Sequence, residues 1–202
     1  TKALDSLQST AASHGRAMIL EVMGRDAGHI ALNAGIAGGA DIILIPEIDY
    51  TIDGVIEKLH EIKKNKIGHS LIIVAESVKK ENGGNVLNCY NKQKRFGGIG
   101  HYIAQEIMKK TDFECRVTSL GHIQRGATPV AIDRILASAF GACAVDLIAQ
   151  RKFNRLVVWK DRKVVDVSID EGIKDYRQVK KEDTLFKTAL SLGIYLGNKP
   201  KY

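Results

Sequence analysis

The stretch Ala17–Ala40, AMILEVMGRDAGHIALNAGIAGGA, changes its periodicity part-way and reads as a strand running into a helix. Ala17–Val22 is an apolar run of strand length; the residues from Met23 have helical spacing that ends on the pair Gly38-Gly39. The same alternation continues downstream. Asp41–Glu47 (DIILIPE) predicts a second strand closed by Pro46, and Ile52–Lys64 places Ile52, Val55, Ile56, Leu59 and Ile62 on one helical face. His69–Glu76 (HSLIIVAE) predicts a third strand, whose continuously apolar centre fits burial on both faces. Ser77–Gly98 is polar, glycine-containing and without period, which predicts a loop. Ile99–Lys110 predicts a helix, introduced by a GGIG turn that lacks the spacing of a dinucleotide fingerprint. Glu114–Leu120 (ECRVTSL) predicts a fourth strand. Pro129 stands near the start of a helix running to about Gln150, where proline is tolerated. Arg155–Ser168 holds two β runs around Lys160-Asp161-Arg162, a hairpin, and Glu182–Tyr195 is the last helix. Strands alternating with helices point to a three-layer α/β fold, an open, mostly parallel sheet flanked by helices.

Composition narrows the function classes. The chain has 202 residues, 45% hydrophobic and 26% charged, in the ordinary globular range. No apolar run approaches the roughly 20 residues of a membrane helix, and the first residues do not resemble a signal peptide. Cys89, Cys115 and Cys143 are an odd number without CxxC spacing, so neither a disulfide framework nor a zinc site is indicated, and no metal ligands are assigned. A reducing, cytoplasmic setting is the simpler reading. The net charge of +7 raises the question of nucleic acid. Its lysines are scattered, however, with no aromatic-interleaved basic stripe, and the charge fits small anionic ligands better.

The architecture predicts where those anions bind. Ligands of open parallel sheets sit beyond the carboxyl ends of the strands. Met23-Gly24-Arg25 follows the first strand, Glu76 the third and His122–Arg125 the fourth, while Arg16 lies just before the first. Four distant segments are therefore expected to converge on one pocket. Arginine forks and a histidine suit phosphate oxygens. Gly24 and Gly121 admit close backbone approach, and the helix after Arg25 offers N–H groups to an anion. Glu76 suits sugar hydroxyls instead. The expected ligand is elongated, with a phosphate at one end and a hydroxylated body. Singly, each residue has a plainer reading: Arg16 and Arg116 as surface arginines, His122 as a structural hydrogen bonder, Glu76 as a lysine partner, Asp133 as a helix-start feature.

Taken together, Ser13–Leu32 (SHGRAMILEVMGRDAGHIAL), Gly35–Glu47 (GIAGGADIILIPE), Arg116–Gly126 (RVTSLGHIQRG) and Thr128–Ile148 (TPVAIDRILASAFGACAVDLI) closely resemble the 6-phosphofructokinase family. That resemblance implies phosphorylation of fructose 6-phosphate at its 1-position. By position Arg16 and Arg116 look like arginines that reach into a neighbouring subunit's site to hold the 6-phosphate, and His122 and Arg125 like its same-subunit contacts. Met23, Gly24 and Glu76 look like groups lining the sugar. Arg25 resembles the arginine near the 1-position, where it stabilises charge as the phosphoryl group arrives. The resemblance further implies a homotetramer, and a division into a small sugar-phosphate domain (1–124 and 174–202) and the C-terminal part of a large domain (125–173).

The chain also departs from the family pattern. The glycine-rich ATP segment and the TIDND motif, carrying the general-base aspartate and a neighbour for the Mg2+ that accompanies ATP, occur nowhere in these residues. The expectation is a C-terminal fragment that does not turn over alone. ATP or pyrophosphate remains open as donor, with the wording of GHIQRG nearer the ATP branch; a non-catalytic sugar-phosphate sensor is the alternative from another class. The segment around residues 77–97 is an insertion relative to compact bacterial members. At the family's ADP or phosphoenolpyruvate effector site, cationic positions read Gln8, Asn65, Ile67 and Gly68, whereas Gly39, Asp41 and His69 are retained. Weak or absent response to those effectors is expected.

Overall fold

The computed structural model describes residues 1–65, 68–90, 93–174 and 177–197, without the side chains of 88–90 and 93–95. Ile67, and with it part of the effector reading, lies outside the described residues. The chain forms two compact units, residues 1–125 with 178–202, and residues 126–177.

The first unit is built on four parallel strands: β1 (Ala17–Val22), β2 (Ile42–Leu44), β3 (Ser70–Ala75) and, late in the chain, Cys115–Ser119, in the spatial order β2, β3, β1, Cys115–Ser119. The mostly parallel α/β expectation therefore holds. β1 and β3 are buried at every position because neighbours and helices cover both faces, which is why they read as almost wholly apolar, with Glu21 and Ser70 the polar exceptions. Ile19, Ile42, Ile43, Ile72, Ile73 and Val74 are fully buried, each contributing about 1.5–3 kcal/mol.

Around the sheet lie α1 (Lys2–His14), α2 (His29–Ala37), α3 (Ile52–Lys64) and α4 (Ile99–Lys110). The predicted α3 and α4 boundaries hold. Thr51 caps α3 by accepting the Gly54 N–H at 3.0 Å, and Ile52, Val55, Leu59 and Ile62 are its buried stripe. Right-handed crossovers require α2, which carries the chain from β1 out to β2, to lie on the sheet face opposite α3 and α4, which carry it back. That produces the three layers.

Three expectations are corrected. Ser77–Gly98 is not wholly loop: it contains an antiparallel hairpin, β4 (Leu87–Tyr90) and β5 (Gln93–Phe96). The stretches LNCY and QKRF are too short and too polar to show a hydrophobic alternation. With these two, the strand Cys115–Ser119 is β6. The helix expected directly after Met23 starts at His29, leaving 23–28 as a loop. The last helix of this unit spans Thr184–Ser191, shorter than Glu182–Tyr195. Gly193, at φ +75°, stops it, and Tyr195 then lies parallel to Ile42 at the sheet edge.

The second unit comprises α5 (Ala131–Ala149), the hairpin β7 (Arg155–Lys160) with β8 (Lys163–Ser168), and α6 (Ile169–Ile173), so the C-terminal helix at Thr184–Ser191 is α7. Asp161 and Arg162 take positive φ of 50° and 63° in the two-residue turn, the twist that a tight hairpin requires. Asp133 accepts the Val130 amide at 3.1 Å, the helix-start role of its plainer reading. α5 is apolar all round, and Ile132, Ile135, Val145 and Ile148 are each more than half exposed, the mark of a helix made to be covered.

Candidate functional site

Adjacent strands β1 and β3 send their chains in opposite directions. After β1 the chain turns toward β2 through α2, and after β3 it turns toward β6 through α4 on the other face. Their carboxyl ends therefore open a crevice, the position at which doubly wound sheets bind ligands. Met23 and Gly24 lie on one lip and Glu76 on the other. The sheet ladder runs past the strand ends, with the Glu76 N–H on the Val22 carbonyl at 2.8 Å and the Leu120 N–H on the Glu21 carbonyl at 3.1 Å.

The third wall is the 3-10 turn Gly121–Arg125. Gly121 opens it at φ +48°, a conformation in which a side chain is strained. With three residues per turn, positions i and i+3 eclipse, so His122 and Arg125 share one side. Both are exposed, and neither makes a side-chain hydrogen bond or ion pair among the described residues. Gln124, which the sequence reading passed over, reaches back and accepts the Met23 N–H at 2.8 Å. The Ser77 hydroxyl donates to the Gly24 carbonyl from the third segment. Three loops are thus tied together by side chain-to-backbone bonds.

Burial pushes the Glu76 carboxyl above its usual 4.5; a backbone bond from Gly24 opposes this, Glu21 adds to it, and the charges of Arg125 and His122 oppose it. Glu76, Arg125 and His122 therefore feel one another across the crevice. Arg25 is 80% exposed in its side chain and forms a loose ion pair with Asp26 at 3.8 Å. The helix expected to serve the anion starts too late: the amide of its N-cap Gly28 donates to both Glu47 oxygens at 2.9 and 3.0 Å. Glu47 also accepts the Val179 N–H at 2.9 Å, pinning the C-terminal segment.

Arg16 and Arg116 do not join this crevice. Arg16 precedes β1 and Arg116 is the second residue of β6, so both sit at the amino end of the sheet. At about 3.3 Å per residue, the seven steps along β1 from Arg16 to Met23 separate them by roughly 23 Å. One chain cannot place four segments around one ligand, and the single-pocket expectation is corrected to two ends of one sheet. Gly39, Asp41 and His69 belong to the amino end as well. Gly39 turns at φ +68°, Asp41 accepts the Leu71 N–H at 2.8 Å, and burial raises the Asp41 carboxyl against the opposing influence of that bond and of His69. Arg16, Lys63 and His69 line a cleft of about 180 Å³ there.

Residues 1–148 match the family model for phosphofructokinase. The chain belongs to that family. It is 53% identical over 199 residues to an ATP-dependent 6-phosphofructokinase 1 of Synechocystis, covering 98% of this chain and 55% of the relative. An ATP-dependent 6-phosphofructokinase of Chloroflexus aggregans is 42% identical over the same shares. The chain thus spans about half the length of the curated relatives it matches. Among solved structures, the phosphofructokinase of Saccharomyces cerevisiae superposes with a TM-score of 0.71 at 30% identity, over 86% of this chain and 22% of that one. A pyrophosphate-dependent phosphofructokinase from Marinobacter aquaeolei shares the fold over 100% of this chain and 54% of its own, with a TM-score of 0.73 at 18% identity.

Proposed function

We propose that the protein carrying this chain transfers a phosphoryl group from ATP to the 1-hydroxyl of fructose 6-phosphate, and that this chain supplies the sugar-phosphate side of the site. The observation that carries the reading is the meeting of unpartnered Arg125 and His122 with Glu76 and the Met23-Gly24 backbone at the carboxyl end of the sheet. Arg125 and His122 hold the 6-phosphate, Glu76 accepts sugar hydroxyls, and Met23 and Gly24 line the ring. Exposed Arg25 stands ready to stabilise charge at the 1-position. Arg16 and Arg116, at the opposite end, act on the phosphate held by a second copy, which makes the working form an oligomer, a homotetramer by family pattern. Residues 1–124 with 174–202 act as the small domain. The bare apolar faces of α5 support residues 125–173 as part of a larger domain completed elsewhere in the protein.

ATP as donor rests on the names of curated relatives that are 53% and 42% identical to the chain. Among the described residues no group of three or more His, Cys, Asp or Glu is placed to hold a metal ion. Likewise, no described helix is long and apolar enough to cross a membrane. The deciding experiment is a coupled assay of the full-length protein with fructose 6-phosphate and Mg2+, given ATP or pyrophosphate. Turnover with ATP alone is expected; silence with both donors overturns the reading.

The raised Glu76 carboxyl gives that activity an acid limb. The folded protein holds this proton more tightly than the unfolded chain, so the associated stabilisation is full below pH 4.5 and is lost as pH rises through the raised folded value. Only the carboxylate accepts the sugar's hydroxyl bonds fully, so kcat/KM for fructose 6-phosphate is expected to rise with pH across that same window. Glu76→Gln is expected to flatten the limb; a limb unchanged in that variant would assign it to another group.

A further inference from the structure

We infer that Glu114 is a positioning residue that holds Arg16 and Arg116 as one preformed pair for the phosphate they grip. The inference rests on the reading above, in which those two arginines act on a second copy's ligand. β1 and β6 are adjacent and parallel, with Ala17 opposite Cys115 and Met18 opposite Arg116. Residues 16 and 114 are consequently neighbours at the sheet's amino end, and the Ala17 N–H donates to the Glu114 carbonyl at 3.0 Å.

From there the Glu114 carboxylate divides its oxygens. Oε2 accepts from Arg16 Nε at 2.7 Å, while Oε1 accepts from Arg116 Nη2. Arg116 is held a second time, through Nη1 to the Cys115 carbonyl at 3.0 Å. One shared acceptor therefore sets the spacing of two like charges that would otherwise repel and swing through many rotamers. The contact with Arg16 uses only its Nε edge, leaving its two terminal nitrogens without a partner among the described residues. Those nitrogens are the edge a phosphate meets. Arg16 is partly shielded, at 29% side-chain exposure, and the Arg16 bond is the main influence holding the Glu114 carboxyl low, so the carboxylate stays charged in the working pH range. An exposed ion pair adds little to stability; its consequence here is alignment.

The test uses the full-length protein with Glu114→Gln, alone and in an Arg16→Ala, Arg116→Ala background. The isosteric variant is expected to raise the KM for fructose 6-phosphate about 10-fold while kcat and the thermal midpoint stay put. In the double-alanine background the same change should alter kcat/KM by less than about 2-fold, because nothing is left to position. An unchanged or lowered KM would show a carboxylate that merely competes with phosphate, and would overturn the inference. So would an equal effect in both backgrounds. Wild-type protein that fails to turn over fructose 6-phosphate with either donor is a different result, one that removes the functional reading itself.

Discussion

In the full-length protein, Arg125→Ala is expected to raise the KM for fructose 6-phosphate by about 100-fold or more, with kcat changed far less. Hydrogen bonds to charged groups are worth about 1.5–3 kcal/mol each, and a guanidinium can give two to one phosphate; at about 1.4 kcal/mol per tenfold, one such pair accounts for that factor. Few other residues can substitute. His122, its eclipsed neighbour on the turn, offers a single ring donor, and the Arg16 and Arg116 that a second copy brings to the same phosphate are tethered to Glu114 and do not fill the place of the Arg125 fork. Arg125→Lys, keeping the charge without the fork, should recover part of the affinity and leave KM about 10-fold high. The side chain is exposed and bonds to no described residue, so unfolding is not the expected cause; a thermal midpoint within a degree or two of wild type checks that. Steady-state kinetics showing KM within about 3-fold of wild type would remove Arg125 from the phosphate site.

The largest stability effect is expected at Glu21, to which the sequence reading gives no role. Its side chain sits 3% exposed in the central strand β1. The carboxylate accepts the Gly98 N–H through both oxygens at 2.9 and 3.1 Å, and the Gly100 N–H at 2.8 Å. Gly98, at φ +95°, is the N-cap of α4, so Glu21 meets the positive end of that helix where no capping side chain is present. Glu21→Gln keeps one acceptor but turns an NH2 toward backbone donors, leaving buried N–H groups unpaired. A loss of about 3 kcal/mol is expected from denaturant unfolding of the full-length protein. The same variant removes a negative charge that helps to raise the Glu76 carboxyl, so the acid limb of kcat/KM should move to lower pH. Stability within about 1 kcal/mol of wild type would mean that the α4 amides find water or another acceptor.

What the sequence by itself determined follows from local rules that this fold obeys. Ala17–Val22 and Ser70–Ala75 are legible as buried strands because all their positions but Glu21 and Ser70 are apolar. Ile52–Lys64 is legible to the residue because its apolar period is clean, and the structure adds the Thr51 cap. The motifs around Met23, Glu76 and His122–Arg125 each follow a strand, and the parallel rule alone sends them to the same end. Where no such rule spoke, the reading slipped. LNCY and QKRF are short and polar, without a period that marks strands, and Gly193 ends α7 inside a run whose apolar residues continue past it.

Only the tertiary structure decided the rest. Arg16 and Arg125 look alike in sequence, yet strand direction separates them by the length of β1, turning one imagined pocket into two ends of a sheet. The carboxylates of Glu47 and Glu21 and the amide of Gln124 bond to backbone 19 to 132 residues away. Sequence spacing carries no trace of such contacts, because a backbone N–H has the same chemistry at every residue and only folding selects which one a side chain meets. For the same reason the pairing of Arg16 and Arg116 through Glu114 appears only once β1 and β6 lie side by side, since register, not sequence, brings residues 16, 114 and 116 together.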